Sequence, residues 1–238
     1  MRVAALYDVH GNLPALKAVL ADVEQEGVET IVSGGDLVLG PYPVEVFERL
    51  AALPCVRYVH GNADRLLLEN RESSLEDAWC AERLGHARLD AIGSWPSTVE
   101  LEIDGLGRVL FCHATPLSDE PIFTRITPAA EVVELFGSVD ADLVVCGHTH
   151  IQFDRTVADG LRVINAGSVG MPYEGRPGAF WALLGPGVEL RRTEYDVAQA
   201  VTAIRGIESP ASGRLVEWLL ESPDPDEVTA YWESRRGA

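Results

Sequence analysis

Two aspartates, one asparagine and four histidines fall at places in this chain where their side chains can act together. Asp8 follows the apolar run VAALY, with His10 two residues on. Asp36 follows TIVSGG, Asn62 follows VRYVHG and His113 follows RVLFC. His148 follows DLVVCG, with His150 two residues on. Oxygen and imidazole donors without thiolate suit Mn, Fe, Zn or Ni better than an iron–sulfur cluster or a cysteine-bound zinc. Seven donors exceed one tetrahedral zinc but suit two ions that share a carboxylate. Paired ions roughly 3.5–4 Å apart serve in-line phosphoryl displacement: they bind phosphate oxygens, activate water and stabilise the developing charge. Each residue alone has a plainer reading, Asp8 as a helix cap and His113 as a satisfied core histidine. Capping and packing do not account for all seven at equivalent places.

Those places are the C-terminal ends of predicted strands, the edge where open α/β sheets form their sites. RVAALY (2–7), TIVSG (30–34) and CVRYVH (55–60) read as strands. LPALKAVLADVEQEG (13–27) and PVEVFERLAAL (43–53) between them have apolar residues at helical spacing. This β-α-β-α-β order predicts a parallel sheet. Gly34-Gly35, Gly61 and Gly147 precede Asp36, Asn62 and His148, where unusual torsions and close backbone approach are expected. Residues 64–93 are helical in composition and read as an inserted cap. STVELEI (97–103) and RVLFC (108–112) predict a hairpin across DGLG. A helix is expected over 128–136 and a buried strand at DLVVC (142–146). From Ile151 to Tyr195 strands alternate with Gly-rich turns, which predicts a second, more antiparallel sheet. The tail from about Asp196 is helical, broken near Ser209–Ser212 and Pro223–Pro225. The chain therefore divides into a domain over 1–195, with the insert at about 64–93, and a helical extension over 196–238.

The segments D-x-H (Asp8–His10), G-D (Gly35–Asp36), G-N-x-D (Gly61–Asp64), the strand-end His113 and G-H-x-H (Gly147–His150) occur in the order of the calcineurin-like metallophosphoesterase family. The chain resembles that family through these motifs over about residues 3–150. DVHGNLPAL and NAGSVGMP (165–172) look like its small bacterial and archaeal phosphodiesterase branch, extending the likeness to roughly residues 1–195. The resemblance implies an α/β fold of two mixed β-sheets packed as a sandwich and flanked by helices. It implies that Asp8, His10 and His150 hold one metal, that Asn62, His113 and His148 hold the other, and that Asp36 bridges them. Asp64 resembles the family's carboxylate that orients neighbouring groups. Asp36, Asn62 and Asp64 are thus the expected catalytic set. Many members carry in the third place of G-N-x-D a histidine that protonates the leaving group; here that place holds Ala63.

Other residues have two readings each. His60 lies two before Asn62, on the same face by strand alternation, and is a substitute acid or a strand-end histidine. His86 would have to reach down from the insert. Asn12 is expected near the phosphate or as the cap of the helix starting at about Leu13. Tyr42, in GPYP, flanks a substrate ring or packs on proline. Arg125 meets a phosphate or sits in a salt bridge. Asn165 and Ser168 lie in a tight turn near the site. The expected function is hydrolysis of a small phosphorylated substrate, as phosphodiesterase or phosphomonoesterase, with two divalent ions, manganese before Fe, Zn or Ni. The alternatives are a phosphoanhydride hydrolase acting on dinucleoside polyphosphates and a non-catalytic metal-binding interaction module. Loss of ligands would favour the module, and none is missing.

Composition bounds the partners. A net charge of −18 over 238 residues disfavours long nucleic acid and anionic membrane. It leaves room for a small phosphate ester, because bound metals reverse the local field. No apolar stretch reaches the roughly 18–20 residues of a membrane span, and MRVAALYD lacks a signal-peptide cleavage site, so a cytoplasmic protein is expected. Cys55, Cys80, Cys112 and Cys146 form no C-x-x-C pair and read as reduced core residues. Leu66, Leu67, Trp79 and Leu84 of the insert, and Trp218 and Leu219 of the tail, must be buried against the core, the site's rim or a second copy in a homo-oligomer.

Overall fold

The computed structural model describes residues 1–69, 74–157 and 160–236. Strand β1 (Val3–Leu6) shows how the layers arise from alternation: Ala4 and Leu6 face one hydrophobic cluster, and Val3 and Ala5 face another. It pairs in parallel with β2 (Thr30–Ser33), which pairs in parallel with β3 (Val56–Tyr58). Helices α1 (Leu13–Gln25) and α2 (Pro43–Ala51) make the crossovers and bury their apolar stripes on the outer face of this sheet. The parallel order expected from the first sixty residues is therefore present.

The second sheet contains the expected hairpin, β4 (Thr98–Ile103) with β5 (Gly107–Cys112). Strand β6 (Leu143–Cys146) follows helix α5 (Ala129–Phe136), and β7 (Phe153–Thr156) and β8 (Arg162–Asn165) complete it in the order β4-β5-β6-β8-β7. Phe111, Val145 and Ile164 meet Val3, Ala5 and Val32 between the two sheets. Leu110, Val144 and Val163 face outward to α5. The result is a sandwich of two mixed five-stranded sheets with helices on both outer faces.

The second, more antiparallel sheet expected from Ile151 to Tyr195 does not form as a unit, because its strands divide between the two sheets. Strands β9 (Ala179–Leu184) and β10 (Val188–Thr193) join the first sheet, giving the order β10-β9-β1-β2-β3. Every residue of β9, AFWALL, is buried, so it needs cover on both faces and finds it beside β1.

The insert begins earlier than expected, because helix α3 (Asn62–Glu69) starts on Asn62 itself. Helix α4 (Leu75–Gly93) breaks at Gly85, where φ is 69° and ψ 166°. Residues 70–73 of this insert lie outside the described residues. Rather than capping the site, Leu67, Cys80, Leu84, Leu89 and Ile92 dock into the outer core beside α1 and α2. The tail forms α6 (Val197–Arg205), α7 (Ser212–Glu221) and α8 (Pro225–Arg235), with breaks where the sequence placed them. Its apolar face packs on Ile151, Met171 and Tyr173. Cys80, Cys112 and Cys146 are buried, Cys55 is half-buried, and all four are free. Among the described residues no helix is long and apolar enough to cross a membrane.

Candidate metal centre

Strands β1, β2, β5 and β6 end at one edge of the sandwich, and loops just beyond them carry most of the candidate ligands. The turns are tight enough to force Asp8 (φ 53°), His10 (45°), Asp36 (52°), His148 (69°) and His150 (58°) into the left-handed region. Side chains rarely accept that conformation, and strain of this kind gathers at functional sites. Ser222 is the other non-glycine residue with positive φ among those described. Of the two roles expected of the neighbouring glycines, close backbone approach is the one that Gly61 and Gly147 fill. Gly61 and Gly147 do not have positive φ; they provide space. A Cβ on Gly61 would lie 2.2 Å from Asp36 Oδ1, and one on Gly147 would lie 2.5 Å from Asp8 Oδ2.

The loops are tied to one another. His10 N–H donates to the Asp36 carbonyl (2.9 Å) and Asp8 N–H to the Gly35 carbonyl (3.1 Å). The turn after β8 braces both sheets. Ser168 Oγ donates to the Asp8 carbonyl (2.7 Å), and Asn165 Nδ2 donates to the Gly147 carbonyl (2.6 Å). The proximity of Asn165 and Ser168 to the site thus takes the form of backbone bracing.

Two groups of potential ligands result, Asp8–His10–His150 and Asp8–Asp36–His113, each with its ligand atoms within 4.8 Å of one another. Asp8 Oδ1 is 3.3 Å from His150 Nε2, 3.9 Å from His113 Nε2 and 4.0 Å from His10 Nε2. Asp36 Oδ2 lies 3.8 Å from His10 Nε2 and 3.6 Å from His113 Nε2. The resemblance gave the bridging role to Asp36 alone; here Asp8 is the residue common to both groups, and Asp36 belongs to one and lies 3.8 Å from His10 of the other. Asn62 joins through its Oδ1, 3.0 Å from His113 Nε2. His148 stands outside both groups, with its ring edge-on to His113 at 5.1 Å.

The imidazoles are oriented by backbone carbonyls. His113 Nδ1 lies 3.0 Å from the Gly34 carbonyl and His150 Nδ1 lies 2.7 Å from that of Met171, so Nδ1 carries the proton and Nε2 turns inward. His148 is held the other way round, with Nε2 3.1 Å from the Glu120 carbonyl. Asp64 is fully buried and accepts from the N–H groups of Asp36 (2.8 Å), Gly61 (3.1 Å) and Leu37 (3.1 Å). It fixes the loop that presents Asp36. Ala63 N–H donates to Asp36 Oδ1 at 2.8 Å, which leaves Oδ2 facing the histidines.

Burial sets the protonation of these groups. It pushes His10 down to about 3, assisted by the neighbouring His150. It pushes His148 down to about 3 as well, assisted by His113. It lifts Asp36 to about 7 against the pull of His113. Asp8 is held well below the carboxylate range, because the surrounding histidines outweigh its burial. Asp8 Oδ1 and His10 Nδ1 are buried without a hydrogen-bond partner among the described residues. Lone pairs of imidazole and carboxylate converge on one small space, as a divalent cation requires.

Several expected substrate contacts are engaged elsewhere. Asn12 is fully buried; it caps α1 through Ala15 N–H and donates to the Gly170 carbonyl (2.8 Å). Arg125 pairs with Asp226 on α8. Tyr42 is half-buried between the outer core and the tail. His86 is exposed on α4. His60 pairs with Asp119 at 3.5 Å, and Arg65 also grips that carboxylate (2.9 Å). This pairing raises His60 above its ordinary value. Sequence reasoning missed Tyr173, which stacks on His150 at 4.8 Å, and Trp232, which faces His148 at 6.4 Å. The carbonyls of Gly34, Glu120 and Met171 have no side-chain signature by which they could have been found.

Comparison with known proteins agrees with this geometry. Residues 1–184 match the model of the calcineurin-like phosphoesterase superfamily domain. The chain is 31% identical over 244 residues to an uncharacterised protein of Methanocaldococcus jannaschii, covering 92% of this chain and 96% of that one. A metallophosphoesterase crystal structure from Sphaerobacter thermophilus is similar at 30% identity and a TM-score of 0.74, covering 93% of this chain and 99% of that one. A hypothetical protein of Pyrococcus horikoshii shares the fold at 21% identity and a TM-score of 0.77, covering 94% and 99%.

Proposed function

Since the chain belongs to the calcineurin-like phosphoesterase superfamily, we propose that it hydrolyses esters of a small phosphorylated substrate with two divalent transition-metal ions, manganese foremost. The observation that carries this reading is Asp8 Oδ1, buried without a hydrogen-bond partner among the described residues, with three imidazole nitrogens 3.3–4.0 Å away. Asp8, His10 and His150 would hold one ion, Asn62, His113 and His148 the other, and Asp36 would span them. Bound there, the ions would supply positive charge for the phosphoryl oxygens and a nucleophile at neutral pH.

The protein's own share is positional. Carbonyls lock the tautomers of His113, His148 and His150, and Asp64 anchors the Asp36 loop. Burial keeps His10 and His148 neutral and therefore able to donate lone pairs. Ala63 offers no proton to a leaving alkoxide, so the chemistry favours groups that depart unprotonated. The strongly acidic chain is compatible with an anionic substrate only where cations reverse the field, which restricts anion binding to the metal centre.

The test is to strip the protein with chelator and restore Mn²⁺. Bis(p-nitrophenyl) phosphate should then be hydrolysed, with both ions bound by metal analysis and little turnover with Mg²⁺ alone, because imidazoles are softer donors than Mg²⁺ prefers. A fully metallated protein inert towards diesters, monoesters and anhydrides would overturn the proposal in favour of a binding module.

A further inference from the structure

The matched family domain ends at residue 184, but helix α8 reaches the metal centre from beyond it. The helix is fixed from several sides. Glu233 accepts from the hydroxyls of Thr124 and Thr127, Arg236 pairs with Glu131, and Asp226 pairs with Arg125. Gly175 N–H donates to the Pro223 carbonyl just ahead of it (2.9 Å). These contacts hold Trp232 against the ring of His148, with centroids 6.4 Å apart and planes inclined by 29°.

Trp232 differs from the aromatic residue at the other end of the centre. Tyr173 stacks on His150 at 4.8 Å, in close contact with the ligand it braces. Trp232 stands near the outer limit of the 4.5–7 Å range over which rings attract. Its Nε1 is buried and has no hydrogen-bond partner among the described residues. A buried indole N–H normally finds an acceptor, and here none of the described groups provides one. Asn62 and His148 are the half-buried ligands, so this is also the side of the centre that solvent can reach. Tyr231, half-exposed, adjoins Trp232 at 5.4 Å and widens the aromatic surface.

We propose that Trp232 is a substrate-contacting, specificity-determining residue: a flat ring esterified to the phosphoryl group packs on its indole, and the same ligand supplies the acceptor for Nε1–H. The substrate class is therefore aryl or heteroaryl phosphate esters rather than small alkyl ones. This inference rests on the phosphoesterase reading above.

The experiment compares binding of phenylphosphonate and methylphosphonate to the Mn²⁺-loaded full chain by calorimetry. The unaltered protein should prefer the phenyl compound by about tenfold, the upper range for one aromatic pair. Trp232→Ala should reduce that preference to about one. Trp232→Phe should keep the ring preference and weaken both ligands alike, through the lost N–H. Mn²⁺ stoichiometry, Mn²⁺ affinity and melting temperature should stay as in the parent for Trp232→Phe. A phenyl preference that survives Trp232→Ala would overturn the proposal. So would Trp232→Phe binding both phosphonates as the parent does, or losing Mn²⁺, which would make Trp232 a brace for His148. Failure of the broader reading looks different: neither phosphonate would bind the metallated parent, and no ester would be cleaved.

Discussion

At one end of the metal centre Asp8 is wholly enclosed and His10 and His150 are 9% and 5% exposed; at the other, Asn62 and His148 are only half-buried. The enclosed end is braced through both main chain and rings, by Ser168 on the Asp8 carbonyl and Tyr173 on His150. The open end is held differently: His148 meets the Glu120 carbonyl through Nε2, donates its backbone N–H to Asp8 Oδ2 (2.9 Å) and is faced by a tryptophan at a distance. Under the proposed function, this difference would put metal retention at the first end and substrate approach at the second. Asp8 and Asp36 connect the two.

The largest effect should come from cutting that connection. Asp36→Ala should abolish binding of both ions or nearly so, and activity with it. Metal analysis that finds both ions retained at full affinity would break the assignment. His10→Ala should hurt less, because Asp8 and His150 remain. Next in size is the missing acid at Ala63. A positioned acid is worth roughly 10²–10⁴ in rate. Nitrophenyl esters should therefore react well and alkyl esters slower by about that factor. A flat dependence of rate on leaving-group pKa would mean that a donor such as His60, paired to Asp119, is at work.

A smaller effect sharpens the comparison of braces. Ser168→Ala removes one of the two donors on the Asp8 carbonyl, leaving Gly170 N–H (3.0 Å), and should lower metal affinity by about 10-fold, the low end for outer-shell partners. Trp232→Phe should leave that affinity alone. Equal losses in the two variants would erase the distinction between the ends. The smallest effect is on stability of the metal-free protein. His10 and His148, held near 3, stay neutral when folded but take up protons below about 6.5 when unfolded. Each adds stability that grows as pH rises from about 3 to 6.5. Asp36, raised to about 7, acts in the opposite sense between about 4 and 7, since its extra proton favours the folded state at the acid end. Asp64, Glu76 and Glu174, also raised by burial, act in the same sense as Asp36, so the histidine share is isolated by His148→Ala, whose stability should rise less, or fall more, than the parent's between pH 4.5 and 6.5. Urea melts of both proteins at those two pH values check it, and equal slopes would contradict it.

That the candidate ligands gather at one edge was legible in the sequence, because Asp8, Asp36, His113 and His148 each come just after a short strand-like run. The order of the first three strands was legible for the same reason. Sheet membership was less so. AFWALL reads as a strand, but only its burial on both faces reveals that it joins β1 rather than the strands before it. The positive torsions of five ligands were invisible, since sequence gives no reason to expect His or Asp rather than the glycine beside it in that conformation. Partners remote in sequence were invisible too. Arg125 meets a carboxylate 101 residues away, and Asn12 directs its amide to Gly170. Neither is then free for a phosphate.

The pairing of β1 with β9 has a consequence for how the protein is made. Asp8 leaves the ribosome long before the strand that flanks β1 on its other side, Ala179–Leu184, near the end of the matched domain. Contacts so distant along the chain form late and slowly. Ser168, which fixes the Asp8 backbone, is likewise synthesised after His150, the last of the seven ligands. A nascent chain that has just exposed all seven candidate ligands therefore still lacks the first sheet's central pairing and the brace on Asp8, and the site as a whole takes shape only after Leu184 has emerged.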